Sequence, residues 1–179
     1  MTAKETTLKS TEIFSGHILK VYKDEISIEG GGNSTREVVR HKGATAVIAV
    51  DEKGEAFFVE QFRYPIGRPL FEAPAGKIDD GETPLECAKR ELLEECGVEA
   101  KKWTELGPML SSPGFCDEVI YLFFAEELSV SNPDPDEDEF LDIIKLPLSE
   151  VLSRLRKGEI SDAKTQVLIL RACDILGIK

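Results

Sequence analysis

Three glutamates, Glu91, Glu94 and Glu95, fall within five residues and follow directly on Arg90. Glu91 and Glu95 are like charges at i,i+4, which costs a few tenths of a kcal/mol on an exposed helix, and Glu94 adds a third carboxylate. Desolvation beside a cleft raises that penalty. A hard divalent cation reverses its sign, because Mg2+ takes a few carboxylates together with water and substrate phosphate oxygens. The cluster could therefore hold a metal for phosphate chemistry. A solvated acidic helix face explains the same run without any ligand, and on these residues alone both readings stand.

The helix that must carry the cluster is well marked. Thr83 suits the N-cap, Pro84 the first helical position, and Glu86 completes a capping box. Gly97 is suited to end the helix in the left-handed conformation. At about 100° per residue, Leu85, Ala88, Leu92 and Cys96 share one stripe that should face a core. Glu91, Glu94 and Glu95 share the adjacent stripe.

From Gly76 the chain reads GKIDDGETPLECAKRELLEECGV. The spacing of Gly76, Glu82, Arg90, Glu91, Leu92, Glu94, Glu95, Gly97 and Val98 resembles the Nudix box, G-x5-E-x7-R-E-U-x-E-E-x-G-U with U aliphatic. The resemblance implies a hydrolase that uses Mg2+ or Mn2+ to cleave nucleoside diphosphates linked to another moiety. It implies an α/β/α sandwich with a mixed sheet, the box forming strand, loop, helix and loop. The implied metal ligands are Glu91, Glu95 and the backbone carbonyl of Ala75, with Glu94 as a further ligand or a catalytic, water-holding group. Arg90 is implied to orient the glutamates and Glu82 to support the loop, with Gly76 and Gly97 bounding the box.

A second set of residues narrows the resemblance. Pro113 lies sixteen residues beyond Gly97, inside Ser112-Pro113-Gly114-Phe115-Cys116-Asp117-Glu118. With Gln61-Phe62-Arg63 and Glu72-x-Pro74-Ala75-Gly76, this looks like the ADP-ribose pyrophosphatase subfamily, from about residue 12 to about residue 172. The implied reaction yields AMP and ribose 5-phosphate. The implied substrate contacts are Arg63, Arg36, Glu72 and Pro113. A guanidinium can grip a phosphate bidentately, as a lysine cannot. The acidic loop from Asp134 to Glu139 is implied to deliver a catalytic carboxylate, Glu139 first and Glu137 second. The same resemblance implies a homodimer in which Arg36 reaches the other subunit's site. One alternative is a pyrophosphatase for another nucleotide sugar, an ADP-sugar or GDP-mannose. Another is a non-catalytic nucleotide sensor, against which stands the presence of Glu82, Glu91, Glu94 and Glu95.

The rest of the chain reads as an α/β framework for these residues. Residues 1–42 are expected to be an N-terminal antiparallel β segment turning at Gly30-Gly31-Gly32-Asn33, and 43–179 the hydrolase domain. Strands are expected near 44–50, 56–61, 119–125 and 143–146, and helices over 84–96, 148–156 and 164–176. With Pro65, Pro69 and Pro74, residues 63–76 should be loop with at most a short strand.

Composition removes other classes. The 179 residues suit one domain with a small appendage. With 22 Lys and Arg against 34 Asp and Glu, the net charge of −12 excludes a uniformly basic nucleic-acid surface. Neither a membrane-length apolar run nor an apolar signal core is present, so a cytoplasmic protein is expected. Cys87, Cys96, Cys116 and Cys173 lack C-x-x-C spacing and are expected as reduced thiols. His17 and His41 are the only histidines and no G-x-S-x-G occurs, which disfavours a histidine-activated nucleophile.

Overall fold

The structure, a computed structural model, describes residues 3–133 and 140–179. It divides into two units: the chain up to Lys42 with Leu110–Val119, and Gly43–Met109 with Ile120–Lys179.

The first unit is built on β1 (Glu5–Ser15), β2 (Lys20–Ile28) and β3 (Asn33–Arg40), an antiparallel sheet in that order. Gly30 takes φ 74° in the turn between β2 and β3, a conformation that costs glycine nothing. Every residue of β1 is exposed. Its register slips between Thr7 and Lys9 and again between Glu12 and Phe14. Asp24 on β2 is buried and accordingly paired, accepting from Ser10 Oγ at 2.5 Å and Arg40 Nη2 at 3.0 Å. Arg40 also donates to Asp117 at 3.2 Å. The segment around Pro113 is held to β3 by Val39 N to Phe115 O at 2.7 Å and Asp117 N to Val39 O at 3.2 Å.

The second unit follows from strands that are apolar on both faces. Its elements are β4 (Ala44–Ala49), β5 (Glu55–Arg63), β6 (Arg68–Glu72), β7 (Ala75–Lys77), α1 (Pro84–Cys96), β8 (Val98–Leu110), β9 (Val119–Val130), β10 (Leu141–Pro147), α2 (Leu148–Arg156) and α3 (Ala163–Leu176). One sheet has the order β7-β4-β9-β8, with β4 parallel to β9 and antiparallel to β7. The other, β10-β5-β6, is antiparallel. Side chains alternate faces along a strand, so an unbroken apolar strand must be covered on both sides. Ala46, Ile48, Phe58, Leu122 and Phe124 join a core with Leu148, Val151, Leu152, Leu168 and Ile169 of α2 and α3. Val47, Ala49, Phe57, Val59, Phe123 and Ala125 join a second core with Ala88, Leu92 and Cys96 of α1. A mixed sheet array between helical layers results, as expected for the Nudix resemblance.

The stretch 63–76 holds two short strand segments, β6 and the start of β7, where loop with at most one was expected. β6 forms despite Pro69 because it is the end strand of its sheet, where a missing N–H breaks no central ladder. β8 was not anticipated. Its run of charged residues hides the strand pattern, since most of its side chains are exposed. The four cysteines are free. Among the described residues, no helix is long and apolar enough to cross a membrane.

Candidate active site

α1 starts where its capping residues dictate. The Thr83 side chain accepts from Glu86 N, the Glu86 carboxylate accepts from Thr83 N in return, and Pro84 opens the first turn. It ends at Gly97, whose φ of 63° is left-handed and whose N–H reaches Leu93 O at 2.8 Å. A side chain at Gly97 would also meet Ser131 O at 2.5 Å. Glycine is therefore required there twice over.

This helix presents Glu91 and Glu95 to β7. Both are buried, Glu91 8% and Glu95 4% exposed. Ala75 N donates to Glu95 Oε2 at 3.1 Å. The Glu91 carboxylate lies against Gly76, where a Cβ would stand 1.8 Å from Oε1. Arg90 gathers the remaining carboxylates. Its Nε and Nη2 donate to the two oxygens of Glu82 at 3.0 Å each, and its Nη1 donates to Glu91 at 2.7 Å and Glu94 at 2.9 Å. These bonds, that to Glu82 foremost, hold the guanidinium firmly charged. Glu82 is in turn held below the ordinary glutamate range, chiefly by Arg90. It accepts from Asp79 N at 3.2 Å, which ties the loop before α1 to the same arginine.

Beside this cluster, Glu72 closes β6. It is 1% exposed and clamped by Arg63, Nε to Oε1 at 2.7 Å and Nη2 to Oε2 at 2.8 Å. Burial alone would raise the Glu72 carboxyl, but Arg63 and Lys164 outweigh it and hold it below the usual range. Glu95 lies close enough to Arg63 to strengthen the guanidinium's charge, which joins the two clusters electrostatically.

The structure thus brings together Ala75, Gly76, Glu82, Arg90, Glu91, Glu94, Glu95 and Gly97 along α1 and β7, with Arg63 and Glu72 beside them. Arg36 and Pro113 belong to the first unit. There Arg36 donates to both carboxylate oxygens of Glu5, and Pro113 sits exposed in a turn closed by Phe115 N and Cys116 N on Ser112 O. Glu137 and Glu139 lie outside the described residues.

Among the described residues, no three His, Cys, Asp or Glu groups converge closely enough to enclose a metal by themselves. The donors fit a different arrangement. Two buried carboxylates beside a backbone strand edge offer hard oxygens of the kind Mg2+ takes, and Mg2+ usually completes its shell with water and substrate phosphate. The Gly76 cradle leaves room for the Glu91 carboxylate and for nothing larger at position 76.

Sequence reasoning did not find Asp162, Lys164 and Thr165. Asp162 caps α3, accepting from Thr165 N at 3.0 Å. Thr165 Oγ1 accepts from Ala73 N at 2.7 Å, and Lys164 donates to Glu72. An Asp three residues before a Thr at a helix start is a legible cap. The links to Glu72 and Ala73 span 92 residues and leave no local signal.

Comparison with known proteins agrees with this geometry. The NUDIX domain model matches residues 39–166. An ADP-ribose pyrophosphatase of Bacillus subtilis is 42% identical over 168 residues, covering 93% of this chain and 91% of the relative. A methanol dehydrogenase activator of Bacillus methanolicus has the same identity and coverage. A GDP-mannose pyrophosphatase of Cronobacter sakazakii is 36% identical, covering 79% of this chain and 82% of the relative. The crystal structure of an ADP compounds hydrolase superposes with a TM-score of 0.86 at 21% identity, covering 99% of this chain and 96% of that one, a likeness of fold. With the box in place on α1 and β7 and the family model spanning most of the sequence, the chain belongs to the Nudix family.

Proposed function

We propose that this protein hydrolyses the diphosphate of ADP-ribose to AMP and ribose 5-phosphate with a bound divalent cation, Mg2+ or Mn2+. The observation that carries the reading is the pairing of the Glu91–Glu95 cluster with Arg63 beside it. Carboxylates for a metal and a guanidinium for a phosphate are the two halves a diphosphate needs. The ADP-ribose pyrophosphatase relative at 42% identity supports the substrate. Glu91, Glu95 and the Ala75 carbonyl would hold the cation, with Glu94 at the rim. Bound there, the cation neutralises diphosphate oxygens and makes phosphorus a better electrophile.

The chain's own residues do the rest. Arg90 fixes the Glu91 and Glu94 carboxylates. Arg63, locked by Glu72, keeps donors on its outer Nη1 edge for a non-bridging oxygen as charge shifts toward the leaving phosphate. The reading extends to Arg36 and Pro113 as substrate contacts, and to a homodimer. The exposed apolar residues Leu8, Ile13 and Phe14 on β1 support the latter, because a bare edge strand invites a partner.

The test is turnover of ADP-ribose, ADP-glucose and GDP-mannose with Mg2+, with products identified and sedimentation run alongside. Preference for ADP-ribose, giving AMP and ribose 5-phosphate, is the expected result. Preference for GDP-mannose would move the assignment toward the 36%-identical relative and leave the metal chemistry standing.

A further inference from the structure

Glu72 has two cationic partners, and only Arg63 comes from the residues expected to meet substrate. The other is Lys164, from the first turn of α3. Its ammonium donates to Glu72 Oε2 and lies 3.1 Å from Asp162 Oδ2, with the side chain 12% exposed. Asp162 is itself fixed, accepting from Thr165 N at 3.0 Å and Thr165 Oγ1 at 2.6 Å.

The charges decide what this arrangement does. A carboxylate clamped on both oxygens by a guanidinium cancels it, and a cancelled arginine is a poor anchor for an anion. Arg63 and Lys164 against Glu72 and Asp162 sum to zero. Without Lys164 the full charge of Glu72 would fall on Arg63. Lysine suits the task, because a compact ammonium has three donors and can serve two carboxylates together. The same helical turn fixes the backbone beside Glu72, through Ala73 N and Thr165 Oγ1 at 2.7 Å.

We propose that Lys164 is a positioning residue for the diphosphate site, holding Glu72 and through it the Arg63 guanidinium. This rests on the ADP-ribose reading above. Lys164 touches no substrate and acts only through Arg63.

The experiment compares Lys164→Met, Lys164→Gln and Lys164→Arg with the wild type. Two quantities are read: steady-state kinetics on ADP-ribose at saturating Mg2+, and the Kd for ADP by calorimetry in EDTA. Met and Gln are expected to raise both KM and Kd by about tenfold or more, as loss of support for a charged hydrogen bond would. At the same time kcat should fall by several-fold, because Arg63 also meets the charge that shifts toward the leaving phosphate, and Arg should restore KM to within about threefold. In an Arg63→Ala background the Lys164→Met effect should vanish, because coupled residues do not add. Unchanged KM and Kd in a folded variant, a loss confined to kcat, or additive losses in the cycle would each overturn the proposal. Should Lys164→Met fail to fold, Lys164→Gln, which keeps a polar side chain but loses the charge, decides the question. A wild type that does not cleave ADP-ribose sinks the functional reading and the proposal with it. An active wild type with unaltered variants sinks the proposal alone.

Discussion

The Glu91 carboxylate occupies the space that a side chain at residue 76 would need, with Oε1 1.8 Å from where a Gly76 Cβ would stand. Gly76→Ala must therefore move Glu91 or the strand. Overpacking of this kind costs roughly 1–3 kcal/mol. The larger effect should fall on activity. If Glu91 is a metal ligand, displacing it should raise the Mg2+ concentration for half-activation by about tenfold or more. A metal titration of the variant at saturating substrate checks this. An unchanged activation constant would remove Glu91 from the metal set.

Glu95→Gln keeps the shape of the side chain and an oxygen for Ala75 N, but removes the charge. Turnover should fall by on the order of a hundredfold or more if Glu95 is a metal ligand. The melting temperature should hold or rise slightly, because a like-charge i,i+4 contact with Glu91 is relieved. Kinetics and thermal unfolding on one preparation separate these effects. Near-wild-type turnover at saturating Mg2+ would exclude the ligand role.

Acid should weaken the fold through Glu72 and Glu82. Both are held below the ordinary glutamate range in the folded state: Glu72 because Arg63 and Lys164 outweigh its burial, Glu82 chiefly through Arg90. A depressed folded pKa stabilises fully above the unfolded value, and that stability is lost as pH falls through the folded one. Urea midpoints should therefore be flat above the glutamate range and drop below it. Glu72→Gln should flatten the drop, and a slope equal to that of the wild type would show that Glu72 does not contribute.

The thiols should divide by environment. Burial pushes Cys87 and Cys96 up to about 12, and raises Cys173 as well. Cys116 is only partly buried. Because the thiolate is the reactive form, a thiol reagent at neutral pH should modify Cys116 in the native protein and all four cysteines after denaturation. Fast modification of Cys87, identified by mass spectrometry, would contradict the packing of α1 against β7.

What the sequence made legible was whatever depends on neighbours in the chain. α1 was readable to the residue, because Thr83, Pro84, Glu86 and Gly97 act through bonds within a turn of themselves. Buried β4, β5 and β9 were readable as apolar runs. β8 was not, since a strand with most side chains in water carries no apolar alternation. At the site, the box could be read from its spacing. The Arg63–Glu72 clamp could not, although both residues had been singled out for substrate. Nor could Lys164, whose partner comes from a strand 92 residues earlier.

That separation has a consequence for how the protein is made. Ala73 and Glu72, which lead into the strand carrying Ala75 and Gly76, are tied down by Thr165 and Lys164 near the far end of the sequence. A nascent chain that has emerged through residue 150 already contains every residue of the box. It still lacks the turn that anchors the strand facing Glu91 and Glu95. Contacts this distant in sequence form late, after loop closure has been met. Hydrolytic competence should thus arrive only once α3 has been added.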